Sequence, residues 1–203
     1  PPNADQNALI LALSSHNSHS YLTQARNKEN SPLFQALIKG WNETFEQMLK
    51  ALHNDQSRHG RHNYHTSIIN LTNSEKTSLL SYAIAHRRLV AIQAIKKQYP
   101  NEVISSSEFP RYVLEAIQTK QQSILDEILT FPLQQSYETN PKRVNLECIK
   151  AAIDTKDLKI LNTVWPYFQG NSFEIAQLQK KAFDENQFDI AEILFSAPFD
   201  ASK

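Results

Sequence analysis

The stretch that most constrains this fold is Arg111–Pro132, RYVLEAIQTKQQSILDEILTFP. Val113, Ala116 and Ile117 stand three and four residues apart, so they share one face of a helix. Ile124, Leu125, Ile128 and Leu129 do the same in a second helix, with the polar run Gln118–Ser123 as the turn between them. Pro132 cannot donate a helical hydrogen bond and marks the end of the second helix. A helix pair this short cannot bury its apolar stripe alone. It needs a similar pair on each side.

The same pattern recurs along the chain. Ser31–Leu49 fits it with Leu33, Ala36, Leu37, Phe45, Met48 and Leu49 in the apolar slots. Ser78–Ile95 fits through Leu80, Ala83, Ile84, Ile92 and Ile95. Glu147–Trp165 fits through Ile149, Ala152, Ile153, Leu161, Val164 and Trp165. Gln177–Phe195 fits through Ala182, Phe183, Ala191, Leu194 and Phe195, and breaks at Gln179, where an apolar residue is expected. The aligned alanines Ala36, Ala83, Ala116, Ala152 and Ala182 are separated by 47, 33, 36 and 30 residues. A small residue at that slot lets the two helices of a pair approach closely.

Prolines punctuate the same frame. Pro100, Pro132, Pro166 and Pro198 each follow a second helix. Ser31-Pro32 and Asn140-Pro141 each read as a cap residue followed by proline at the first helical position. Thr72-Asn73-Ser74-Glu75 has capping-box spacing ahead of the second pair. The expected organisation is an N-terminal helical cap over residues 1–30 and five pairs at 31–52, 78–100, 111–132, 141–166 and 173–198. A long histidine-rich loop covers 53–73, and 199–203 is a tail. Asp5–Leu13 and Tyr21–Ala25 would supply the cap helices. No domain boundary is evident within Ser31–Pro198. The fold class expected is all-α, stacked helix-turn-helix pairs with few or no β-hairpins. The rival architecture is an irregular all-helical domain.

At Ser31-Pro32-Leu33-Phe34-Gln35-Ala36 the chain resembles the ankyrin repeat, a unit of about 33 residues with a T-P-L-H-x-A signature. Gly40 falls where that family has the glycine of its inter-helix turn, and Ser78–Ala83 is a looser match. The later pairs keep the alanine and the apolar slots. The chain departs from the family in its uneven spacing and in having three glycines, too few for Gly-rich hairpins between units. The resemblance spans roughly Ser31–Pro198 and implies a degenerate ankyrin-like solenoid that binds a protein.

Composition narrows the function. An apolar content of 40% is lean, as a thin stacked array would be. No apolar run reaches the length of a membrane span, and Ala8–Leu13 lacks the basic leader and cleavage pattern of a signal peptide. A chain starting at Pro1 reads as a processed product or an excised piece. One Cys excludes an internal disulfide framework and suits a reducing compartment. Residues 1–100 carry 11 Lys+Arg and 6 Asp+Glu, and residues 101–203 carry 10 and 15, so the halves have opposite charge. That asymmetry could orient a partner. No basic stripe interleaved with aromatics points to nucleic acid. The abundance of Asn, Gln, Ser and Lys with degenerate repeats is similar to effectors that intracellular bacteria deliver into host cells. This places the chain in a cytoplasm, including a host's.

His53–His65, HNDQSRHGRHNYH, holds four of the seven histidines. His59, His62 and His65 are the weak metal candidates, since zinc takes three or four N, S or O ligands. The segment has no Cys and only Asp55 as carboxylate, so a solvated loop with Gly60 at its tip is the better reading. Arg58, Arg61 and Tyr64 could then meet an acidic partner. For catalysis, Cys148 opens a helix, where the dipole could lower a thiol pKa, but no histidine is near it in sequence and a small semi-buried Cys is the commoner reading. No phosphate-cradling glycine loop, G-x-S-x-G or H-E-x-x-H accompanies it. The reading is therefore non-enzymatic and cofactor-free: a module binding another protein on the outward side of its first helices. Those positions are Gln35, Ile38 and Lys39; Tyr82, Ala85 and His86; Glu115, Gln118 and Thr119; and Ala151, Asp154 and Thr155. Tyr82 beside His86 is the anchor expected of them. The alternatives are a targeting or regulatory domain of a larger enzyme and a cryptic enzyme using Cys148 or the histidine loop.

Overall fold

A computed structural model describes residues 31–58, 67–73, 75–134, 144–168 and 170–195. The cap expected over 1–30, the Asn140-Pro141 pair, Pro198 and the tail lie outside the described residues. Those that are described form two compact units, divided between Val103 and Ile104 within the stretch where the sequence marks no boundary. They are all-α, with ten helices and no strand among them.

The first unit contains α1 (Pro32–Lys39), α2 (Asn42–Arg58), a 3-10 turn (Ile68–Asn70), α3 (Leu79–Ala85) and α4 (Leu89–Gln98). Each pair, α1–α2 and α3–α4, packs on itself, and α2 packs on α4. Lys97 reaches Glu46 at 3.1 Å, and the Tyr99 hydroxyl donates to the Leu49 carbonyl at 3.2 Å. The second unit contains α5 (Phe109–Gln118), α6 (Gln122–Leu129), α7 (Leu146–Thr155), α8 (Leu158–Val164), a 3-10 turn (Trp165–Tyr167), α9 (Ser172–Asp184) and α10 (Phe188–Phe195). Here first helices pack on first helices, α5 on α7 and α7 on α9. Second helices pack on second helices, α6 on α8 and α8 on α10. The connectors are joined in the same sense, by parallel bridges between Ile104 and Leu133 and between Val144 and Phe168.

The turn inside every pair is built alike. Four residues after the aligned alanine stands one residue in the left-handed region: Gly40 (φ 69°), Arg87 (56°), Lys120 (55°), Lys156 (59°) and Asn186 (57°). That kink lets the chain reverse, at about 1–2 kcal/mol for a non-glycine. In three pairs the backbone N–H five residues after the alanine returns to the alanine carbonyl: Trp41 to Ala36 at 2.9 Å, Arg88 to Ala83 at 2.8 Å and Gln187 to Ala182 at 2.8 Å. In the other two a threonine hydroxyl is inserted into that bond. Thr119 Oγ1 donates to Ala116 at 2.7 Å and accepts from Gln121 N–H at 3.3 Å. Thr155 Oγ1 donates to Ala152 at 2.6 Å and accepts from Asp157 N–H at 3.1 Å. One orphan carbonyl of each first helix, that of the alanine, is thereby satisfied within the pair.

Nearly every apolar slot of the repeat is buried, including all five alanines. Three are not. Trp165 is half-buried, and Phe183 and Phe195 are exposed. At the break in the pattern, Leu178 fills the core in place of Gln179, whose amide donates to the Leu194 carbonyl at 3.2 Å. The loop expected from residue 53 begins later, because α2 runs on to Arg58. Leu52 extends its buried stripe, and no breaker intervenes before Gly60. The same expected loop ends in order: Ile68 and Ile69 are buried, and the Glu102 carboxylate accepts from Ser67 Oγ and Ile68 N–H.

Helix starts also differ from expectation. Pro32 does open α1, but the Ser31 side chain makes no capping bond. Thr72 bridges to Ser78 instead of capping, while Asn73 Oδ1 accepts from the Glu75 and Thr77 N–H groups. Ser78 is the cap of α3, Asn145 of α7, and Asn171 forms a full capping box with Glu174. If the threonine insertion holds two of the turns, Thr119→Val or Thr155→Val lowers unfolding free energy by about 1–2 kcal/mol, and the serine variants lose much less. Gly40→Ala costs about 1–2 kcal/mol through its backbone, and more because the new Cβ would stand 2.8 Å from Arg88 Nη1. Equilibrium urea unfolding reads all three.

Candidate functional site

The outward side of the first helices is set by the core. Positions one before, and two and three after, each aligned alanine face away from the buried slots. On α1 they are Gln35 and Ile38, half-buried, and Lys39, exposed. Lys39 Nζ lies 4.5 Å from the centroid of the Trp41 ring, so the cation is held over an aromatic face. On α3 they are Tyr82, half-buried, and Ala85 and His86, exposed.

Tyr82 is the best-positioned of these side chains. One turn of helix separates it from His86, and the two rings stack with centroids 4.2 Å apart and planes 27° apart. The buried ring of Phe34 meets Tyr82 edge-on at 5.7 Å and 83°. An aromatic locked between two rings loses little conformational freedom on binding. Burial, with a contribution from Glu75, holds the Tyr82 phenol above its ordinary range.

The second unit presents a different surface. Gln118 and Asp154 are exposed, and Glu115 and Ala151 are half-buried. Arg111 lies 3.8 Å from Glu115 and 3.2 Å from Glu108, and Asp154 is paired with Lys181 at 2.6 Å. Such exposed pairs are worth about 0–1 kcal/mol. Thr119 does not belong to this surface. It is buried at 7% exposure, and its hydroxyl is engaged in the turn. Thr155 is half-buried and its hydroxyl is engaged in the same way.

Of the histidine segment, His53 lies on α2 with its ring edge-on to Tyr99 at 5.3 Å and 90°. Arg58 is the last residue of α2. His59, Arg61, His62, Tyr64 and His65 lie outside the described residues. Among the described residues no three His, Cys, Asp or Glu side chains converge as a metal site would require.

Cys148 reverses the expectation of a lowered thiol pKa. It does start α7, where the Asn145 side chain accepts its N–H. But the thiol is buried, donates to the Pro110 carbonyl at 3.2 Å, and has its pKa pushed up by burial from 9.0 to about 11. Desolvation is the largest cause and outweighs the helix-terminal N–H groups, and the Glu147 carboxylate acts in the same direction as burial.

One feature escaped the sequence pattern. Phe183, Phe188 and Phe195 form an exposed cluster, with Phe183 edge-on to Phe188 at 6.1 Å and to Phe195 at 5.9 Å. Two of the three occupy slots that read as core. Only the excess of Phe in the last pair hints otherwise.

No family model matches the chain, no curated protein matches it, and no solved structure matches its fold. No helix among the described residues is long and apolar enough to cross a membrane.

The Cys148 geometry predicts a thiol that does not react with a disulfide reagent at pH 8 in the folded chain and reacts at once in urea. Because its pKa is higher folded than unfolded, the stability linked to it is fully present below pH 9 and lost as pH rises towards about 11. The fall in urea midpoint over that window is therefore smaller in Cys148→Ala than in the parent chain.

Proposed function

We propose that this chain is a non-enzymatic protein-interaction module, built of degenerate ankyrin-like helix pairs that stack within each unit as short solenoids. Support for the stacking comes from five turns with a left-handed residue at the same position and from parallel bridges between successive connectors in the second unit. Support for binding, and not catalysis, comes from chemistry. The one thiol is buried and its pKa is raised by burial, which disfavours it as a nucleophile.

The observation that carries the reading is the Tyr82–His86 stack on the outward side of α3. Tyr82 is half-buried, fixed by Phe34 from below, and keeps a polar hydroxyl, the combination found at interface hot spots. His86 extends the ring surface, and Gln35 and Lys39 supply polar groups on α1. The partner is a protein that inserts an apolar or aromatic side chain against this stack. In the second unit, Glu115, Gln118 and Asp154 are at most rim residues, since two of them already have cationic neighbours.

Affinity capture from a lysate, with bound proteins identified by mass spectrometry, tests the reading. Tyr82→Ala should weaken capture of the specific partner by about thirtyfold or more, the effect of removing about 2 kcal/mol at a hot spot. His86→Ala should weaken it less, and Tyr82→Phe should retain most of it. Equal capture by Tyr82→Ala with an unchanged unfolding midpoint would remove this surface from the function.

A further inference from the structure

The aromatic cluster on the last pair sits where the rest of the fold is covered. Phe183 directly follows an aligned alanine. At the same slot Leu37 is 2% exposed and Ile84, Ile117 and Ile153 are 0% exposed, while Phe183 is 49% exposed. In the second unit α7 lies on α5 and α9 on α7, with α8 and α10 stacked likewise. Among the described residues no helix continues this order beyond α9 and α10. Phe188 and Phe195, 60% and 58% exposed, are seven residues apart and share one stripe of α10. With Phe183 they leave on the order of 300 Å² of ring surface open, in one contiguous patch.

Charge selects the occupant. Asp184, Glu185, Asp189 and Glu192 are all exposed around these rings, and Ala182–Phe195 contains no Lys or Arg. Glu192 lies on the same stripe, between Phe188 and Phe195. Among the described residues Glu185 is the one of the four within 4 Å of a cation, Lys181 at 3.9 Å, which is already bonded to Asp154 at 2.6 Å; the exposed Lys180 stands one turn before Asp184, and the patch keeps a net negative charge. Two copies joined through this face would bring eight carboxylates together, and an anionic lipid surface would be repelled in the same way.

We propose that the Phe183–Phe188–Phe195 face docks an amphipathic α-helix of another protein, one whose apolar stripe is flanked by Lys or Arg. The helix would lie over α9 and α10 as α9 and α10 lie over α7 and α8, with anchors at i, i+3 or i+4, and i+7 against the three rings. The basic flanks meet Asp184, Asp189 and Glu192. This surface belongs to the second unit and the Tyr82–His86 stack to the first, so the two readings are tested by different substitutions.

The probe is a labelled synthetic helix of about 18 residues with a leucine stripe and lysine flanks, titrated onto the full chain by fluorescence anisotropy. A second peptide keeps the stripe and carries glutamate flanks. The lysine peptide should bind at least tenfold more tightly than the glutamate peptide and weaken as salt rises. Phe188→Ser with Phe195→Ser, at two exposed positions, should reduce its affinity at least tenfold with the unfolding midpoint retained. Asp189→Lys with Glu192→Lys should invert the preference between the peptides, and Tyr82→Ala should leave both affinities unchanged. The proposal is overturned by equal binding of the two peptides, by no binding of the lysine peptide, by binding that survives loss of the rings, or by self-association abolished by the phenylalanine substitutions.

Discussion

The carbonyl of one alanine in each helix pair governs the rest of the structure. It lies at the end of the first helix, where the last carbonyls have no helical partner. Each pair satisfies it across the turn, directly in three cases and through a threonine hydroxyl in two. That bond requires one left-handed residue, and the left-handed residue fixes the angle at which the second helix returns. The return brings the second helix back across the alanine, whose lack of a side chain beyond Cβ permits the approach. Core packing, the bridges between connectors and the outward faces all follow from that reversal.

This explains why the units look so unlike one another as sequence. Only Gly40 meets the turn with the residue best suited to positive φ. Arg87, Lys120, Lys156 and Asn186 meet it with residues that adopt the conformation at a penalty, which cooperative packing of both helices offsets. Gly40 is also where the Arg88 guanidinium crosses closely enough to donate to the Ile38 carbonyl, so there the glycine answers a steric need as well. A pattern defined by glycines would see one turn out of five. One defined by alanine spacing sees all of them.

What was legible in the sequence was therefore the part that depends on burial. Leu33, Ile84, Ile117, Ile153 and their neighbours read as core because each is surrounded on several sides, and helical spacing reports that. Boundaries were less legible. α7 opens at Leu146 behind Asn145, which offers its side chain to the Cys148 N–H, a cap that no sequence motif singles out. Thr72 and Glu75 have capping-box spacing, yet Asn73 between them bends the chain first. Local signals of this kind compete, and tertiary contacts choose among them. At Cys148 only the dipole argument gave way for the same reason: its position near a helix N-terminus is a sequence fact, but its contact with the Pro110 carbonyl is not.

The surfaces were legible only where the helix period alone decides them. Tyr82 and His86 face outward because they are one turn apart on the side opposite Leu80 and Ile84, and that is enough to predict their stacking. Thr119 satisfies the same periodicity and is nevertheless buried, since a hydroxyl three residues past the alanine finds an unsatisfied carbonyl to bond. Phe183 errs in the opposite direction. It has the period of a core residue, but a slot on a helix pair is buried only when a neighbouring helix covers it. Periodicity specifies which side of a helix is apolar, and the neighbour decides whether that side is an interior or an exposed surface.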